Sequence, residues 1–218
     1  MDWLYKQQRK FGKYAIGNLM LIIVIGQLFV FFANLLFVDY SVASWFSFNR
    51  SLILAGQVWR LITFIFIPDV SNVLFFILSL YFYYMIGGAL ENEWGAWVFN
   101  VFYFVGVFCT AAAGMLTGNA SNQFLNLSLF FAFAILFPDY QIMLFFILPV
   151  KMKYLAIINA LIYFYYLVVG TWSTRASIIA ALVNVALFFG GTFLKRVKND
   201  LSYRKRRNQF KREMNEWK

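Results

Sequence analysis

GNASNQFLNLSLFFAFAILFP, residues Gly118 to Pro138, carries a polar loop straight into an apolar run that ends at a proline. The helix it predicts, Phe124 to Pro138, rises about 1.5 Å per residue and reaches roughly 20 Å, short of the roughly 30 Å hydrocarbon core of a bilayer. Its polar start therefore falls below the membrane surface. Backbone that is not helical at that depth is tolerated only where protein buries it or where it lines a wet cavity. The stretch predicts a polar recess, open from one side, at the head of a short membrane helix.

The rest of the chain supplies that helix with neighbours. Of 218 residues, 62% are hydrophobic and 13% charged, and the mean hydropathy is +0.69, values of the membrane class rather than of soluble domains. Apolar runs predict six spans, at about 18–38, 70–90, 95–116, 124–137, 154–169 and 176–194. The expected fold class is an all-α membrane bundle, one domain over 1–194, followed by a basic tail at 195–218. The first run follows Lys6, Arg9, Lys10 and Lys13, with Ser41-Val42-Ala43 as a weak cleavage site. It is longer than a signal-peptide core and reads as an uncleaved anchor. Asp39 to Asp69 is too polar to cross and too aromatic for a free linker; Trp45, Phe46, Phe48 and Trp59 among Asn49, Arg50, Gln57 and Arg60 suit the membrane interface. Ile142 to Leu148 is too short to span and is placed at the inner interface. Only Glu91 to Trp94 separates the second and third spans, which predicts a tight helical hairpin.

The net charge of +10 is distributed as topology requires. Sixteen basic residues fall at the start, at Lys151 and Lys153, and in the tail; the opposite side holds only Arg50, Arg60 and Arg175. The positive-inside rule then puts both termini in the cytoplasm, and no nucleic-acid partner is expected. The tail admits two readings, a segment lying on anionic lipid, or else a solvated helical extension or disordered tail. The single cysteine, Cys109, excludes an intramolecular disulfide and reads as a packing residue. The chain has no histidine, which removes the commonest general base and the commonest metal ligand together. No metal cluster or phosphate loop is present in the sequence, and no cofactor is expected.

Four local patterns carry more information together than singly. They are Gly56-Gln57-Val58-Trp59-Arg60-Leu61-Ile62-Thr63; Gly87-Gly88-Ala89-Leu90-Glu91 with Trp94, Gly95 and Phe99; Phe137-Pro138; and Pro149-Val150-Lys151-Met152-Lys153-Tyr154. In combination, from about Gln57 to Asn184, they resemble the rhomboid family of intramembrane proteases. The resemblance implies a six-helix rhomboid-like bundle with an interfacial first loop, in which Trp59, Arg60, Gly87, Gly88, Glu91, Gly95, Pro138 and Pro149 are structural. Read without it, Trp59 and Arg60 are an aromatic anchor beside a snorkelling cation, and Gly87 and Gly88 allow close helix approach. Glu91 reads as a residue of a water-facing turn.

By the same resemblance, an active rhomboid places a serine in a Gly-x-Ser-Gly loop heading the fourth span and a histidine in the sixth, within Ala-His-x-x-Gly-x-x-x-Gly. The second span adds a histidine and an asparagine. Here the nucleophile position falls on Gln123, or on Ser121 if the loop shifts by two residues, and neither is followed by glycine. Ser177 stands at the histidine position in Ala176-Ser177-x-x-Ala180-x-x-x-Asn184, and Phe75 and Ser79 fill the second-span positions. A hydroxyl is no base near neutral pH. A serine–lysine dyad needs a nearby lysine, but Lys151 and Lys153 fall on the side opposite Ser121, and Arg175 keeps its proton.

The resemblance thus implies an inactive, derlin-like pseudoprotease that binds transmembrane segments of client proteins for retention, quality control or extraction. Candidate residues of its recess are Asn119, Ser121, Asn122, Gln123, Asn126, Ser128 and Ser177, since polar side chains at membrane depth face the protein interior or a wet recess. In the alternative reading, these side chains merely satisfy nearby backbone. Three other classes stay open: a rhomboid-type serine protease with a non-standard site, a small-solute transporter, and a structural membrane subunit. Against a transporter stand the lack of an inverted repeat and of a charge central in any span. No motif specifies the client or the oligomeric state.

Overall fold

The computed structural model describes residue 8 and residues 10–37, 41–68, 72–144 and 148–190. The edges expected at 38, 70 and 191–194, and the tail with its two readings, lie outside the described residues. Within them the chain runs through α1 (Leu19–Leu36), three short loop helices α2 (Val42–Phe46), α3 (Arg50–Leu54) and α4 (Arg60–Thr63), and a 3-10 turn at Phe64–Phe66. Then follow α5 (Val73–Trp94), α6 (Ala96–Thr117), α7 (Asn122–Leu136), strands β1 (Gln141–Leu144) and β2 (Leu148–Lys151), and α8 (Met152–Val169). The last described helix, α9, covers Trp172–Gly190. Five stretches, Gly12–Leu36 and the helices α5, α6, α8 and α9, are long and apolar enough to cross a membrane, and α7 is a sixth, shorter apolar helix. The protein is a multi-pass membrane bundle whose regular structure, among the described residues, is helical but for one β-hairpin.

That hairpin gives the segment, too short to span, a regular structure that the sequence reading did not assign. β1 and β2 pair antiparallel, with Gln141 opposite Lys151, Ile142 opposite Val150, Met143 opposite Pro149 and Leu144 opposite Leu148. The apolar run gave no alternation by which a strand is recognised. Pro149 sits in β2, a two-stranded setting that can accommodate its missing N–H.

The junction of the second and third long helices is also tighter than expected. α5 continues as helix through Glu91–Trp94, and one residue, Gly95, makes the turn into α6 with φ of +80°, a conformation open chiefly to glycine. Glu91 therefore belongs to the last turn of α5. Its Oε1 accepts a 2.8 Å hydrogen bond from the backbone N–H of Asn18, the residue preceding α1. A carboxylate there complements the partial positive charge of the α1 N-terminus. Just beyond, α1 crosses α5 in close contact at Gly87, where an added Cβ would overlap the side chain of Met20. Nothing lies within 4 Å of the equivalent point at Gly88, so of the two glycines only Gly87 mediates close approach.

The short helix α7 is the centre of the bundle. Ten of its 15 residues are buried, on all sides, because α5, α6, α8 and the 3-10 turn all pack against it. α9 reaches it through a buried clasp: Asn184 Nδ2 donates to Ser128 Oγ at 3.2 Å, and Ser128 Oγ–H donates to the Leu125 carbonyl at 2.7 Å. Gly106 of α6 lets both partners approach, since a Cβ there would lie 2.6 Å from Asn184 Nδ2 and from Leu125 Cδ1. α8 is the least enclosed long helix, with most of its apolar side chains exposed around one contact line to α7 and β2.

Candidate functional site

The recess is framed by the first loop and the head of α7, and each wall is fixed by side-chain bonds to backbone. In the first loop the organiser is Arg60, which is 4% exposed rather than snorkelling. Its Nε donates to Gln57 Oε1 at 2.7 Å, and its Nη1 donates to the carbonyls of Ser44 and Ser47 at 2.6 and 2.7 Å. The Thr63 hydroxyl adds a 3.0 Å bond to the Phe46 carbonyl. These bonds draw the turns around α2 and α4 together, while Trp59, the expected aromatic anchor, stays 47% exposed. Asn49 caps α3, accepting from the N–H groups of Ser51 and Leu52. Phe48 is thereby turned inward, edge-on to Phe64 at 5.9 Å, and fills the gap left by Gly114 of α6.

The second wall is the loop 118–121 and the first turn of α7. Gly118 ends α6 with φ of +101°, and its carbonyl accepts a 3.3 Å bond from the Arg50 N–H, joining the walls. Ser121 caps α7, its Oγ accepting from Gln123 N–H at 3.2 Å. Asn122, 3% exposed, donates through Nδ2 to the carbonyls of Ile65 and Ile67 at 3.1 and 2.7 Å. The Ile65 oxygen accepts a second bond, of 2.9 Å, from Gln27 Nε2 of α1. Gln27 was not among the expected site residues; its signal was a carboxamide, one of two with Asn34, in an otherwise apolar helix.

Between these walls lies a cavity of about 360 Å³, lined by Ser47, Phe48, Phe64, Ile67 and Pro68 on one side and by Asn119, Ala120, Ser121, Asn122 and Gln123 on the other. No lining residue is ionisable. Asn119 and Gln123 are exposed, and neither side chain makes a hydrogen bond among the described residues. The recess thus offers free carboxamides at its mouth over a floor of buried Phe48 and Phe64, with half-buried Ile67 and Pro68 as its apolar rim.

Four of the seven expected recess residues, Asn119, Ser121, Asn122 and Gln123, are brought together here. Asn122 is turned to the loop backbone and Ser121 to its own helix, as the alternative sequence reading held for this set. Asn126, Ser128 and Ser177 are not in the lining: each is buried in the bundle. Ser128 belongs to the clasp with Asn184, which lies about two turns beyond Ser177 on α9. The first-loop lining residues Ser47, Phe64, Ile67 and Pro68 were not anticipated, because nothing local marks which face of an interfacial loop turns inward. The second-span positions lie elsewhere: Phe75 is exposed, and the Ser79 hydroxyl bonds the Phe76 carbonyl of its own helix.

At the other end of the bundle, Pro138 precedes the hairpin and Pro149 sits within its second strand. Asp139 receives the amines of Lys153 and Lys151 at 3.0 and 3.2 Å. The hydrogen bonds from Lys153 and Lys151, reinforced by their charges, hold the Asp139 carboxyl below the usual aspartate range. Among the described residues no His, Cys, Asp or Glu cluster of three or more could hold a metal ion. No family model matches the chain, and no curated protein matches it.

Proposed function

We propose that the protein is a rhomboid-like, non-catalytic membrane protein whose recess binds transmembrane segments of other proteins. The observation that carries this reading is the pair of free carboxamides, Asn119 and Gln123, beside Phe48 and Phe64 at the head of a membrane helix too short to reach the surface. A client helix unwound at one end carries unpaired backbone N–H and C=O groups, which are costly in a bilayer. Gln123 and Asn119 supply donors and acceptors for them, while Ile67 and Pro68 of the rim take the adjoining apolar side chains. The six-span arrangement with the interfacial loop is part of the same proposal, as is the rhomboid kinship.

Cleavage is not part of it. The chain has no histidine, and Ser121, the serine at the recess, uses its oxygen as a helix cap with no ionisable side chain in the lining. A photo-crosslinking amino acid at Gln123, which faces the recess, tests the proposal, with the same group at Tyr84, an exposed site on α5, as control. Capture of intact membrane proteins through their apolar segments at 123, and not at 84, is expected. Capture of lipid alone at both sites refutes it. Labelling of Ser121 by a fluorophosphonate would show instead that the recess is hydrolytic.

A further inference from the structure

The β1–β2 hairpin is tied closely to two apolar helices. β2 ends at Lys151 and α8 begins at Met152, and the base is locked by hydrogen bonds from Met152 N–H to the Tyr140 carbonyl (2.8 Å) and from Lys153 N–H to the Pro138 carbonyl (3.0 Å). The hairpin base lies toward the half of α5 that ends at Glu91, since the Tyr140 hydroxyl reaches Met85 Sδ, just past the middle of that helix. The register assigns the hairpin two faces, because directly opposed residues share one. Ile142 and Val150 form the inner face, and Ile142 packs against the bundle core; the Tyr140 ring at the base packs edge-on to Phe133 at 5.4 Å. The hairpin therefore lies along the bundle.

Its outer face holds Gln141 and Lys151 near the base and Met143 and Pro149 farther out. Met143 is 66% exposed and Pro149 is exposed, and no residue from Ile142 to Val150 is polar or charged. Two unsupported strands are marginal in water, and their edges leave backbone groups unpaired. Charge at the base is unbalanced: Lys151 and Lys153 share one carboxylate, Asp139, and Lys10 and Lys13 flank Phe11, which stacks on Trp97 at the start of α6.

From this we infer that the hairpin is a lipid-seated element. Its Met143–Pro149 face rests in the headgroup and upper acyl region of the leaflet at the basic end of the bundle, and Lys151 and Lys153 hold it there against anionic headgroups. The headgroup layer supplies polar partners for the open strand edges and apolar contact for the outer face. This seat is independent of what occupies the recess at the opposite end.

The test uses the full chain with Cys109→Ala and Met143→Cys, labelled with bimane and reconstituted in phosphatidylcholine vesicles with and without phosphatidylglycerol. With phosphatidylglycerol present, lipid brominated high in its acyl chains is expected to quench the label, and aqueous iodide is not. Without it, or with Lys151→Glu and Lys153→Glu together, lipid quenching falls and iodide quenching appears. Full iodide quenching in all vesicles, or lipid quenching that ignores phosphatidylglycerol, overturns the inference. Pro149→Cys, on the same face, serves as a second probe position should the first variant fail to fold.

Discussion

At the scale of single residues, Asn122 shows how one carboxamide can hold a loop to a helix inside a membrane protein. Its two bonds satisfy the carbonyls of Ile65 and Ile67, where water is scarce. Asn122→Ala removes both; the Ile65 oxygen keeps its bond from Gln27 while the Ile67 carbonyl loses its partner, so a stability loss of about 1–3 kcal/mol is expected in thermal unfolding in detergent micelles. Ser121→Ala removes only an exposed helix cap and should cost about 1 kcal/mol or less in the same measurement. If the order were reversed, the loop would not be held by Asn122. Sequence reasoning located this cluster because polar residues ahead of a short apolar helix have few places to go. It did not foresee Arg60, whose partners are carbonyls 13 and 16 residues earlier. Backbone acceptors leave no mark on residue identity, so a buried guanidinium and a snorkelling one look alike in a sequence.

At the scale of elements, the α1–α5 contact and the hairpin are the informative cases. Gly87→Ala places a methyl against Met20 and is expected to destabilise by about 1–3 kcal/mol through overpacking, whereas Gly88→Ala meets open space and should be near neutral. Paired melting curves of the two variants check this. The hairpin base should respond to pH through Asp139. Because the lysines depress its folded pKa, the ion pair contributes above the unfolded aspartate value of about 3.9 and is lost as pH falls through the lower, folded value. A carboxyl chemical-shift titration should give Asp139 a midpoint below that of a free aspartate, returning to the ordinary value in Lys151→Ala and Lys153→Ala combined. The long helices were legible because hydropathy and length suffice for them. The hairpin was not, since an uninterrupted apolar run fits a strand or a helix equally well, and Lys–Asp contacts across 12 and 14 residues appear only once it has folded.

At the scale of the whole molecule, the helical membrane bundle follows from composition, but its centre does not. The sequence marks α7 as short; that four neighbours and the Asn184 clasp enclose it emerges only from packing around Gly106 and Ser128. Charge distribution predicts orientation: a protease-sensitive tag after Lys218 should be cut only from the cytoplasmic side, and a cysteine replacing Asn119 should react only from the other. Protection of both from the same side would contradict it. One feature ties the two ends of such a molecule together. The Ile65 oxygen holds Gln27 of α1 and Asn122 of α7 at once, and its neighbours Phe64 and Ile67 line the recess. A guest that pushes these residues aside must stretch both bonds, so filling the recess pulls on the first helix, whose far end is latched to Glu91. Under the proposed function, occupancy of the recess would thereby become mechanical tension felt at the opposite end of the bundle.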